Sequence, residues 1–509
     1  MNMDKKKGHS PKDGVSFFGL LCVIIIALVL SPATTRPVWA GVVIDNIRTL
    51  GVDLTSETQT GENTTNATVT STGSVATSGT HAVWAGSEGW NVSVEPGGSV
   101  TNSKSGSGNS AILFNTLGDG TGTALQGTVT NSGDITSSGT GIKMGGGSVT
   151  NNQTGKITST NNAIDTTGTI TITNIGSIES TAGDAIHQND ETANTVVNNT
   201  GTIKATVSGT EKAAIYIKGS GTTENAGQIT SNEGKGIYFK TSGAENKVVN
   251  KEGGTISGGT YGVISDHELT VENAGTITSN STGIYTGGGG TVTNSGTIAG
   301  NGSNGIAAWG ETNTVTNTGA ISGYVNGIIS GGYATVDNYG SITGDTTSGV
   351  YLTKGKVTNH AGSKIYLTDS GADSSAILFA GYGEVENSGE IKGTGGIHFG
   401  VDGKVTNNAG GTITGTGGWG IIFGNSGTLI NHGAIEGVTG VTFNMYNSGG
   451  SESINDTLTN SGTIIGTGGT AVDMSVGDDT ANLLSGSSIT GNVDGGAGTD
   501  TVNLTGSGN

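Results

Sequence analysis

The chain is 509 residues long and acidic, with 21 Lys plus Arg against 40 Asp plus Glu and a formal net charge of -19. That balance repels nucleic acid and anionic membrane surfaces, so no nucleic-acid partner is expected. A single Cys excludes an internal disulfide.

Residues 1–40 have the three parts of a secretory signal: Lys5, Lys6, Lys7 and Lys12, then an apolar stretch from Phe17 to Leu30, then a polar exit. The stretch is about 14 residues, shorter than the roughly 18–20 a helix needs to cross the hydrocarbon core, and Pro32 follows it. The expectation is a cleaved signal rather than an anchor, and a mature chain that does not span a membrane. Small residues in Val38-Trp39-Ala40 place the cut between Ala40 and Gly41. Cys22 lies inside this segment, and Leu20 and Leu21 before it lack the small residue of lipoprotein processing. Removal of the segment leaves Arg48 as the only arginine and a net charge of about -22.

Residues 41–90 repeat less regularly and are expected to cap and begin the fold. Residues 91–470 carry a motif of the form Val-x-Asn-x-Gly-x-Ile, clearest as VTNSGDI from Val129, VENAGTI from Val271, VTNSGTI from Val292 and LTNSGTI from Leu458. The regular return of Ile and Val excludes a disordered Gly/Ser linker. The motif Asn gives a ruler: Asn102, Asn131, Asn151, Asn174, Asn198, Asn225, Asn250, Asn273, Asn294, Asn317, Asn338, Asn359, Asn387, Asn407, Asn431 and Asn460, about 24 residues apart. Leucine-rich repeats share that period but need regularly spaced Leu. Each unit has a second apolar stretch, such as SAILFN from Ser110, AIYIKG from Ala214 and GIIFGN from Gly420. Both stretches alternate with period two, and nothing between them favours a helix.

Three short strands per unit predict an all-β, right-handed parallel β-helix of about sixteen coils, each of roughly 24 residues. Every motif aliphatic then lies over its counterpart one coil away. The asparagines from Asn131 to Asn460 become a structural ladder that closes a tight turn and fixes register. The middle residue of the second stretch points outward, aligning Leu113, Tyr216, Tyr238, Tyr285, Tyr351, Leu378, His398 and Ile422. The tyrosines Tyr216, Tyr238, Tyr285 and Tyr351 form a possible binding ridge on this column, or they pack on one another.

These repeats resemble the passenger regions of autotransporters, the type V secreted proteins of Gram-negative bacteria. The tail from Asp473, within residues 471–509, is similar to the barrel-proximal segment of that family. The resemblance implies a cell-surface, adhesin-like structural protein with an outer-membrane β-barrel translocator as partner and a host-cell or glycan ligand. The ten-residue alternating strands of such a barrel are not written in these 509 residues. With a barrel supplied the expected place is the cell surface, and otherwise the periplasm.

No catalytic constellation is legible and no enzyme is expected. The alternative is an extracellular carbohydrate-active β-helix enzyme, a polysaccharide lyase or hydrolase, for which the acids on offer are Asp478 with Asp479, and Asp266 beside His267. His187, His360, His398 and His432 lack metal-ligand spacing. No cofactor is expected beyond a calcium candidate: Gly495 to Asn503 matches one calcium nonapeptide, which would use Asp494 and Asp500.

Overall fold

The computed structural model describes residues 42–44, 47–48, 52–54, 66–118, 120–241, 246–368, 371, 374–445 and 454–505. Among them the long regular elements are strands, wound into a parallel β-helix of about 18 turns.

One turn shows how the sequence produces this. Leu269–Asn273, Thr276–Ser279 and Thr282–Thr286 are joined by the two-residue corners Ala274-Gly275 and Asn280-Ser281. Gly275 is needed at its corner, since a Cβ there would lie 2.2 Å from the carbonyl oxygen of Gly254 in the turn before. The following turn lays Gly290–Asn294, Thr297–Gly300 and Ile306–Ala308 over the same three strands, each pair parallel and in register. Backbone donors and acceptors are thereby satisfied between turns rather than within them. At roughly 4.8 Å per turn the rod is on the order of 85 Å long.

Period-two alternation sorts the side chains. Val271, Ile277 and Ile284 point inward and are fully buried, whereas Thr270, Glu272 and Thr276 remain solvent-accessible. The inward column through Ile277 is isoleucine without interruption from Ile135 to Ile464. Each such side chain contributes about 1.5–3 kcal/mol on burial. Near the C-terminal end another inward column becomes aromatic. Phe379, Phe399, Phe423 and Phe443 stack with centroids 5.1, 5.2 and 4.9 Å apart, a spacing the turn rise imposes.

Three expectations need correction. The count is about 18 turns rather than sixteen, because the ruler ticks only where Asn fills its column. In that column Ile44, Val69 and Val94 precede Asn131, and Leu483 and Leu504 follow Asn460. Asn102 is not a tick: it lies in a different sheet, opposite Ser137. Asn198 faces Glu224 on the outer surface, and its neighbour Asn199 is the ladder residue. In VVNNTGTI, Val197 points inward, so the residue two further on shares its side and the adjacent one cannot. Residues 42–54 already contribute a turn, with Val42–Ile44 pairing to Asn66–Val69.

Candidate functional site

Three sets of side chains were singled out by the sequence: the asparagine column, the outward aromatic column and the acids of the tail. The cleavage position, Ala40 and Gly41, lies outside the described residues.

The asparagines form one continuous ladder. The Nδ2 of Asn131 donates to the Oδ1 of Asn151 at 2.8 Å, Asn151 to Asn174 at 2.8 Å, Asn174 to Asn199 at 2.8 Å and Asn199 to Asn225 at 2.8 Å. The series continues through Asn250, Asn273, Asn294, Asn317, Asn338, Asn359, Asn387, Asn407 and Asn431 to Asn460, all at 2.7–2.9 Å. All these side chains are buried. The same Nδ2 groups also bond carbonyls, as Asn273 does with Gly275 at 3.2 Å and Thr297 at 3.0 Å. With their donors and acceptors used inside the rod, the amides fix register and present nothing to a ligand.

The outward aromatic column exists as a single register line. Leu113 leads through Lys143, Asp165 and His187 to Tyr216, then Tyr238, Ile264, Tyr285, Ala307, Ile329, Tyr351, Leu378, His398 and Ile422. Its ring faces are largely occupied. His187 stacks on Tyr216 at 4.7 Å, Tyr216 meets Tyr238 edge-on at 5.4 Å, and Tyr261 meets Tyr285 at 5.7 Å. The ammonium groups of Lys235 and Lys240 sit 4.9 and 5.5 Å from the Tyr238 ring centre. Tyr238 and Ile264 are buried against Ala213, and Leu113 and Ile422 are wholly enclosed. Burial pushes the phenols of Tyr216, Tyr238 and Tyr285 above their usual range. This column is a satellite core on the outside of the helix more than an open platform.

Asp266 accepts from Lys240 Nζ at 2.7 Å and from Tyr238 Oη at 3.0 Å, and these bonds hold the lysine's pKa up. His267 is tied through its backbone N–H to Ser265 Oγ at 3.2 Å. His187 bonds the buried Asp184 at 2.7 Å, His360 stacks on Tyr339, and His432 contacts Ser461 Oγ at 2.7 Å.

The tail holds a feature the sequence reading missed. Asp456 Oδ1 accepts from Gly427 N–H at 2.6 Å, Asp479 Oδ1 from Asp456 N–H at 2.7 Å, and Asp500 Oδ1 from Asp479 N–H at 3.1 Å. Each carboxylate thus ties its turn to the one before. The signal was the dipeptide Asp-Thr recurring at 456, 479 and 500, at the repeat spacing. Asp456 and Asp479 are buried, and their Oδ2 atoms lack a partner among the described residues. Burial pushes the Asp456 carboxyl up to about 7; the Gly427 N–H partly offsets this and the Asp479 charge adds to it. Asp479 is raised for the same first reason.

The two calcium candidates are used in turns: Asp494 Oδ1 accepts from Gly496 N–H at 3.1 Å, and Asp500 is the third carboxylate of the ladder just described. Asp478 Oδ1 accepts from Thr499 N–H at 2.8 Å. Among the described residues no group of three His, Cys, Asp or Glu side chains converges to hold a metal ion, and no helix is long and apolar enough to cross a membrane.

Comparison with known proteins returns no matching family profile, no similar curated protein and no similar solved structure.

Proposed function

We propose that the chain is an exported structural and interaction protein of the autotransporter-passenger kind, a rod that presents its corners and loops away from a Gram-negative cell. The observation that carries this reading is how the inside of the rod is used. Fourteen amide–amide bonds and three aliphatic columns consume the buried side chains in holding register over most of its length. What varies from turn to turn is outside, at corners such as the excursion from Asn115 to Ala124, closed by an antiparallel bridge. The partner for delivery is an outer-membrane β-barrel translocator, and the ligand class is a host-cell surface or glycan.

Expression in a Gram-negative host, with N-terminal sequencing of the exported protein and protease treatment of intact cells, tests the reading. The expected result is a periplasmic mature chain beginning at Gly41, moved to the cell surface when a barrel is fused after the tail. A chain kept in the cytoplasm with residues 1–40 attached would overturn it. Attachment to cells without release of reducing ends is the outcome expected of a binding rod.

A further inference from the structure

The exposed aromatic side chains are not spread along the rod. Among the described residues they are Trp309, Tyr324, Tyr333, Tyr339 and Tyr382, all within a few turns of the middle. Tyr339 is stacked on His360 with centroids 3.7 Å apart. Trp309, Tyr333 and Tyr382, which are 41%, 43% and 48% exposed, share one corner, the one leading from the third strand of a turn to the first strand of the next.

Register sets their order. Tyr333 lies over Thr312 and under Lys354. Tyr382 precedes Gly383, which pairs with Gly355, so it stands one turn beyond Lys354, and Asp402 stands one turn beyond Tyr382 by the pairing of Gly383 with Gly403. The Trp309 indole reaches into the next turn and rests against Gly331, where a Cβ would lie 2.3 Å from its Cε3. The glycine makes the seat for the ring. Tyr382 is anchored by its Oη, which donates to Glu384 Oε1 at 2.7 Å.

We infer that this corner binds a neutral linear polysaccharide lying along the rod axis. The Trp309 indole lies on the turn of Tyr333, and Tyr382 stands two turns further on by register, roughly 10 Å, a separation that suits an extended chain spanning about two sugar rings between the ends of the patch. Polar groups alternate with them: Lys354, Glu384 and Asp402 offer donors and acceptors to hydroxyls beside the rings. That alternation breaks the patch into separate apolar spots, unlike the contiguous apolar area of a protein-docking face. Charge selects against anionic polymers, because Glu311, Glu384 and Asp402 line the corner and the chain as a whole carries -19. The inference names the ligand class within the surface-rod reading and rests on it only for where that ligand is met.

Affinity electrophoresis of the purified full chain in gels containing hydroxyethyl cellulose, xyloglucan or galactomannan, with heparin and alginate as anionic comparators, tests it. Retardation is expected in at least one neutral gel. Trp309→Ala and Tyr382→Ala should each weaken it roughly tenfold. Trp309→Phe should retain most of it, and Tyr216→Ser, on the enclosed column, should leave it unchanged. Circular dichroism of each variant verifies the fold, and Tyr382→Phe, which keeps the ring and loses only the anchor, gives a second reading if an alanine variant misfolds. No retardation in any neutral gel, retardation by heparin or alginate alone, or full retardation of Trp309→Ala would overturn the inference. None of these results bears on export or on cleavage before Gly41, so the two readings fail separately.

Discussion

Asn294→Ala is expected to destabilise the middle of the rod by about 3–5 kcal/mol, one of the largest effects available to a single substitution outside the aliphatic columns. The Nδ2 of Asn294 donates to Asn317 Oδ1 at 2.8 Å, to Gly296 O at 3.1 Å and to Ala320 O at 3.1 Å, while its Oδ1 accepts from Asn273 at 2.7 Å. Alanine removes both ends and strands the amide groups above and below in a dry interior, where each unmet donor or acceptor costs roughly 1–3 kcal/mol. Asn294→Asp should be worse above pH 5, since it keeps the acceptor, loses the donor and buries a charge. Because each turn contacts only its neighbours, the damage should be local. Hydrogen exchange should speed up at the amides of Thr297, Ile298 and Ile321 and stay slow near Ile435. Uniformly unchanged protection would show that the ladder is ornament.

The second large effect concerns pH. The carboxyl of Asp456 titrates near 7 in the folded chain against about 3.9 when unfolded. The folded state therefore binds the proton more tightly, and the burden of a buried charge is full above pH 7. It fades as pH falls through 7 and is gone below about 4. The C-terminal turns should be firmer at pH 5 than at pH 8, by up to about 2.5 kcal/mol. The groups bearing on this carboxyl are Asp479 and Asp402, both acidic, and the Gly427 N–H. Asp456→Asn can still accept from that N–H without the charge. It should stabilise the region at pH 8 and change little at pH 4, flattening the difference; exchange at Leu429 and Leu458 measured at both pH values checks this. A variant as pH-sensitive as the parent would place the effect elsewhere.

Most of the fold was legible because a stacked solenoid repeats its physics in its sequence. Ile135 to Ile464 had to recur at the turn length for an interior to exist at all, and period two assigned their sides. The miscounts have the same origin. Ile44, Val69, Leu483 and Leu504 occupy the asparagine column without being asparagine, so they left no mark. Asn198 and Asn199 differ by one position, which decides inside from outside only once Val197 is fixed. The outward aromatic line was correctly placed, but its rings turn toward one another and toward Lys235 and Lys240, a matter of rotamers that spacing does not reveal. The corner tryptophan and tyrosines were missed because corners vary in length, and only pairing across turns brings Trp309, Tyr333 and Tyr382 together. The Asp-Thr recurrence was readable, yet the acids around it also fit a calcium nonapeptide, and spacing alone does not separate a metal ligand from a carboxylate that bonds the backbone of the neighbouring turn.

The amide ladder also has a direction. From Asn131 onward each Nδ2 donates to the turn that follows, and from Asn151 to Asn460 each Oδ1 accepts from the turn that precedes it, so the bond dipoles add rather than cancel, each polarising the next. A reversed or inverted segment spliced into the stack would set donor against donor. New turns can therefore be accepted in only one sense, and a chain emerging gradually through a pore would be wound by its own leading edge, each completed coil serving as the mould for the next.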